Sequence, residues 1–186
     1  PLREKSFADK KNPFFQPVEF WFNTKNGDQL NDRVAAFDSK LNQLTDKYFS
    51  ELYFRNSKEI FDTISTSVKK EFKAENGSIF KMHKKFGLKS IEADAFRLNP
   101  PQLAEVFNSA DKVTWTHPAF INLFEKTYSN KLSFEAKTID GNKIRKAVAL
   151  NNISALLDFI SGDYKLKNPV NELVLLKMLH DAYYSG

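Results

Sequence analysis

The sequence predicts an all-α protein, an irregular multi-helix bundle of about seven or eight helices with an extended aromatic N-terminal arm. Three observations predict it. Apolar residues recur at steps of three and four over long stretches. Glycine and proline number only 6 and 7 in 186 residues, too few for the recurrent tight turns of a sandwich or barrel. Most of the prolines and asparagines fall between the apolar-periodic stretches, where helices start and stop.

Residues 1–27 read as the arm. Pro1, Pro13 and Pro17 interrupt it, and Asn26-Gly27 closes it with a turn signal. Its segment from Pro13 to Phe22 holds Phe14, Phe15, Phe20, Trp21 and Phe22, which are expected to wrap the helical body, since together in water they would form a sticky patch. Residues 28–186 read as a single helical domain. It is expected to be a fragment of a longer chain, because Pro1 is not an initiator Met and the last helix runs almost to Gly186.

The first helix is predicted over about Asp28 to Phe54. Leu30, Val34, Phe37, Leu41, Leu44, Tyr48 and Leu52 form its stripe, and Phe49 and Phe54 are expected to widen it toward a core. Asn56 is expected to cap the second helix, with Glu59 reaching back and Ile60, Ile64, Val68 and Phe72 inward. The third, capped by Ser78, runs from about Ile79 to Arg97. Gly87 inside it predicts a kink or a close crossing. Asn99-Pro100-Pro101 stops the chain and starts a short helix to Ala110, followed by a loop over residues 111–116. His117-Pro118 opens a helix with Phe120, Leu123, Phe124 and Tyr128 inward. Residues 129–141 are read as continuing helix or loop, with a short strand the alternative. Two short helices flank Asn151-Asn152, with Gly162 ending the second, and Asn168-Pro169 opens the last, which carries Leu173, Leu176, Leu179 and Tyr183.

No cysteine is present, so thiol nucleophiles, zinc-thiolate sites and disulfides are excluded within these residues. Phosphate-loop and H-E-x-x-H patterns are missing too, and the Asp140-Gly141 turn lacks the downstream acid of a calcium loop. The expectation is therefore no metal, no cofactor and no catalytic residue. The net charge of +5 is mild, and its densest run is Lys81, Lys84, Lys85 and Lys89 among Phe80, Met82, Phe86 and Leu88. That pattern reads as the solvated face of an amphipathic helix, and nucleic acid is not a favoured partner. His180 and Asp181 are adjacent and point about 100° apart on a helix, so they form no dyad. The candidates for binding are Trp21 and Trp115, aromatics in predicted loops, and His117 at a helix start. Core filling for the tryptophans and helix capping for the histidine are the plainer roles.

Three stretches carry a family resemblance. Asn12-Pro13-Phe14-Phe15 followed by the long helix with Phe37-Asp38, the stretch Thr116 to Phe124, and the stretch Asn171 to Gly186 resemble, in order, the helical middle domain of Bacteroidetes TlpA-like thiol-disulfide oxidoreductases. The resemblance implies a β-rich domain before this chain, a thioredoxin-fold domain with Cys-x-x-Cys after it, and a place in the periplasm or cell envelope. It carries over no catalytic residue, since the Cys-x-x-Cys is not in this chain. The expected function is a non-catalytic scaffold or interaction domain of such an oxidoreductase, contacting the flanking domains, a protein partner or a second copy. The alternative is a free-standing binding protein for a peptide, an apolar ligand or an acidic partner.

Overall fold

Residues 29–138 and 141–184 are described by the computed structural model. Ten α-helices and one π-helical turn run through them, with no strand among the described residues. The helices are α1 (Leu30–Lys47), α2 (Lys58–Glu71), α3 (Ser78–Ala95), α4 (Pro100–Asn108), α5 (Lys112–Trp115), α6 (Pro118–Tyr128), α7 (Lys131–Glu135), α8 (Gly141–Ala149), α9 (Ile153–Asp163) and α10 (Val170–Tyr184). The all-α class is as expected. The count exceeds the expected seven or eight because α5 and α7 are single turns, too short to display an apolar period. The arm over residues 1–27 lies outside the described residues.

The predicted first helix does not run straight to Phe54. It ends at Lys47, and Ser50–Phe54 follows as a π-helical turn. A π turn accommodates an extra residue and rotates everything after it. Leu52 is still fully buried, but Phe49 and Phe54 face outward, 48% and 74% exposed, with their rings edge-on at 5.6 Å. They do not widen the stripe as expected.

Helix starts are set by short polar side chains. Ser57, not Asn56, caps α2: its Oγ accepts the Ile60 N–H at 3.3 Å. Asn56 takes a left-handed backbone (φ 52) and donates its side-chain amide to the Ala95 carbonyl, tying the start of α2 to the end of α3. Gly77 holds the cap position of α3, and Ser78 is its first helical residue. Asn99 and Gln102 form a reciprocal capping box at α4, with Pro100 in the first turn. Asp111 accepts the Thr114 N–H at 2.7 Å and turns the expected loop into α5. Asn151 is left-handed (φ 50), and Asn152 caps α9 by accepting the Ala155 N–H. That helix continues one residue past Gly162.

Two apolar cores result. One gathers Phe37, Leu41, Leu52, Ile64, Val68, Phe80, Leu88 and Ala95 from α1, the π turn, α2 and α3. The larger is built on Phe107, Phe120, Leu123, Phe124, Tyr128 and residues of α8, α9 and α10. Helix α3 serves both: Phe80 and Leu88 enter the first, Phe86 the second. Gly87 lies between those faces. A Cβ there would sit 3.2 Å from Phe37 Cε1, so the glycine allows the close crossing of α1 and α3 foreseen from the sequence. Phe37 meets the rings of Phe72, Phe80 and His83 edge-on at 5.5 to 5.9 Å. Such pairs contribute about 0.5–1.5 kcal/mol each beyond area burial.

Candidate functional site

His117 and Trp115 come close together at the junction of α5 and α6, and Trp21 lies outside the described residues. His117 is the N-cap of α6. Its Nδ1 accepts the Ala119 N–H at 3.2 Å and its Nε2 donates to the Ile79 carbonyl at 3.1 Å. Those bonds require the neutral imidazole protonated on Nε2. The side chain is 6% exposed, and burial depresses its pKa, with nearby His83 pushing the same way and the Ile79 bond opposing. Both ring nitrogens are committed, so the residue builds the fold rather than presenting itself to a ligand.

The ring of His83 lies 5.8 Å from that of His117, and its Nε2 is 2.6 Å from Asp38 Oδ1. The chain Asp38–His83–His117 thus links α1, α3 and α6. Sequence reasoning missed it, because Asp38 and His83 are 45 positions apart and no local spacing marks them. His180 Nδ1 approaches Asp181 Oδ1 only to 3.5 Å, the outer limit of a hydrogen bond. The Asp181 carboxylate is already occupied by Lys177 Nζ at 2.7 Å and the Asn130 N–H at 3.1 Å. Burial pushes its pKa up, but Lys177, Asn130 and His180 outweigh that and hold it below the usual carboxylate range. No group of three or more His, Asp or Glu side chains among the described residues is placed to hold a metal ion.

What the surface does offer is grooves. Between α6 and α10 a groove of about 430 Å³ is lined by Trp115, Phe120, Ile121, Phe124, Leu173 and Leu176, with Glu125, Lys177 and His180 at its rim. Trp115 packs against the larger core, and its indole Nε1 is buried without a hydrogen-bond partner. Helix α10 is apolar on more than one side. Val174, Leu175 and Met178 are buried, yet Leu176, Tyr183 and Tyr184 are 66%, 81% and 73% exposed. A helix of that kind is ordinarily covered on both sides.

A second groove, about 390 Å³, runs between α2 and α3 over Phe61, Ser65, Leu88 and, from α4, Val106. Its walls carry Lys69, Lys81, Lys84, Lys85 and Lys89 against a single acid, Glu92. A third cleft, about 620 Å³, lies between α8 and α9, where Asp158 and Asp163 line it together with Lys143, Lys146, Ile144, Leu156 and Phe159.

Comparison of the chain with protein-family models, with curated proteins and with solved structures found no match in any of the three.

Proposed function

We propose that this chain is a non-catalytic scaffold and interaction domain of a periplasmic thioredoxin-like thiol-disulfide oxidoreductase, working beside a redox domain that carries the Cys-x-x-Cys. The observation that supports an interaction role is the groove of α6 and α10, with Leu176 exposed at its edge and Tyr183 and Tyr184 farther along the same helix. Aromatic and aliphatic anchors grouped on one helix are what a docking face needs. His117, Asp111 and Asp181, three groups whose pKa values are shifted, are tied into helix caps and inter-helix bonds. The choice of parent rests on the resemblance of Thr116 to Phe124 and Asn171 to Gly186 to the TlpA-like middle domain. Those same stretches supply most of the groove, from α6 and α10.

The test begins with the gene. Its reading frame is expected to encode a thioredoxin-fold domain with Cys-x-x-Cys beyond Gly186, and a stop codon directly after Gly186 overturns the proposal. In the full-length protein, cross-links from Lys177 are expected to reach the redox domain, and Leu176→Glu is expected to remove them. The other reading, a free-standing binder, is favoured by the groove's apolar lining. It predicts instead that an apolar ligand or peptide raises the melting temperature of the isolated chain, an effect that Leu176→Glu removes.

A further inference from the structure

The groove between α2 and α3 differs from that of α6 and α10 in charge. Lys69 of α2 lines the same groove as Lys81 and Lys85 of α3, so a basic cluster that looks like a solvated run in sequence becomes part of a concave site. Two of its five lysines are spoken for. Lys84 donates to the carbonyls of Phe72 and Glu75 at 2.9 and 3.3 Å, closing the end of α2, and Lys89 pairs with Glu92 at 2.7 Å. Lys69, Lys81 and Lys85 have no carboxylate partner among the described residues, and Lys85 instead lies over the Phe86 ring. The floor is apolar, with Leu88 7% exposed and Phe61 half-buried beside it.

The arrangement is also directional. The free lysines stand toward the α2–α3 turn, whereas Phe61, Leu88 and Val106 lie toward the other end, where Phe61 meets Phe96 at 5.7 Å. From Lys81 to Glu92 the groove follows about 16 Å of helix, roughly three turns at 1.5 Å per residue. A phosphate backbone would find cations here but no use for the apolar floor, and a purely apolar ligand would leave the cations unanswered. Residues 1–28 do not complement the charge either, since they hold five basic and four acidic side chains.

We propose that the α2–α3 groove receives an acidic amphipathic helix of a partner protein. Its apolar side chains lie on Phe61, Leu88 and Val106, and its carboxylates face Lys69, Lys81 and Lys85. The mode is helix-in-groove recognition, in which residues at helical spacing anchor one face. Burial of the apolar face supplies affinity, and the lysines fix direction and exclude basic partners. This site lies on other helices than the groove of α6 and α10 and stands or falls independently of the proposed function.

The probe is a fluorescent synthetic peptide of about twelve residues, three turns of helix, with leucines along one face and glutamates at one end. Titration with the protein should give saturable binding that weakens several-fold as salt rises. The triple variant Lys69→Glu, Lys81→Glu, Lys85→Glu changes only exposed side chains, and it should bind at least tenfold more weakly with its circular dichroism unchanged. Leu176→Glu should bind the peptide normally. A scrambled peptide of the same composition should bind at least tenfold more weakly, which separates the groove from simple charge attraction. No binding, or equal binding by the triple variant or of the scrambled peptide, overturns the proposal. So does tighter binding of single-stranded DNA or of anionic phospholipid vesicles, when the triple variant removes it.

Discussion

His117 donates from Nε2 to the backbone carbonyl of Ile79 at 3.1 Å, so the first residues of α3 and α6 are held together by one imidazole. The cap on the Ala119 N–H exists only while Nδ1 is unprotonated, since imidazolium has no acceptor nitrogen. Burial lowers the His117 pKa from its ordinary 6.5. Below that pH the unfolded chain takes up a proton that the folded chain resists. The contribution is therefore complete above about 6.5 and is lost as pH falls toward the depressed folded value. Urea midpoints should drop between pH 7.5 and 5. His117→Asn keeps a capping oxygen but not the link to Ile79, so it should cost roughly 2 kcal/mol at pH 7.5 and flatten that drop. An unaltered slope in the variant would count against the neutral cap.

Gly87→Ala sets two effects against each other. Alanine favours helix by about 1 kcal/mol, but overpacking costs about 1–3 kcal/mol. The ring it meets, Phe37, is fully buried and boxed in by Phe72, Phe80 and His83, so it has little room to yield. The net expectation is a loss of stability, growing sharply for Gly87→Leu. Chemical denaturation of both variants decides it, and a stabilised Gly87→Ala would show that the α1–α3 crossing is looser than the distances indicate.

Two buried tyrosines should respond with opposite signs to loss of the hydroxyl. Tyr128 is fully buried, and its hydroxyl has no hydrogen-bond partner. Tyr164 donates to Glu135 Oε1 at 3.0 Å. Tyr128→Phe should raise stability by roughly 1 kcal/mol, and Tyr164→Phe should lower it by a similar amount. Burial drives both phenols well above the ordinary value of 10, with Glu135 adding to the effect at Tyr164. Their contribution is present below pH 10 and is lost as pH rises beyond it. Phenolate absorbance in a base titration should therefore show these two tyrosines ionising only as the fold is lost.

Asp181 joins α10 to the turn before α7 through Lys177 and the left-handed Asn130. Its folded pKa lies below the usual value, so its contribution is full above about pH 4 and fades as pH falls further. Asp181→Asn should cost roughly 1 kcal/mol near neutrality. The gap from the unmodified protein should narrow toward pH 3, and a constant gap would assign the effect to packing.

The parts of this fold that sequence made legible are those written in local spacing. The Phe37–Leu41–Leu52 stripe, the Asn99 cap with its proline and the His117-Pro118 start all depend on neighbours within a turn or two, and each lies where expected. The cap expected at Asn56 falls one residue on because the neighbouring Ser57 offers the same capping oxygen, without the reciprocal bond of a box, and tertiary contact with Ala95 claims the asparagine. Phe49 and Phe54 turned outward because a π turn changes the period that periodicity reasoning presumes. The meeting of Lys69 with Lys81 and Lys85, and of Asp38 with His83, depends on helix packing, which leaves no mark in local order.

Because α3 gives Phe80 and Leu88 to one core and Phe86 to the other, neither half can melt while its neighbour keeps an intact wall. The backbone amides at the centre of that helix should be the slowest in the protein to trade their protons with solvent, opening only when everything opens. Heating should accordingly produce a single sharp transition. In that one step α3, which carries Lys81 and Lys85, loses its order together with both cores.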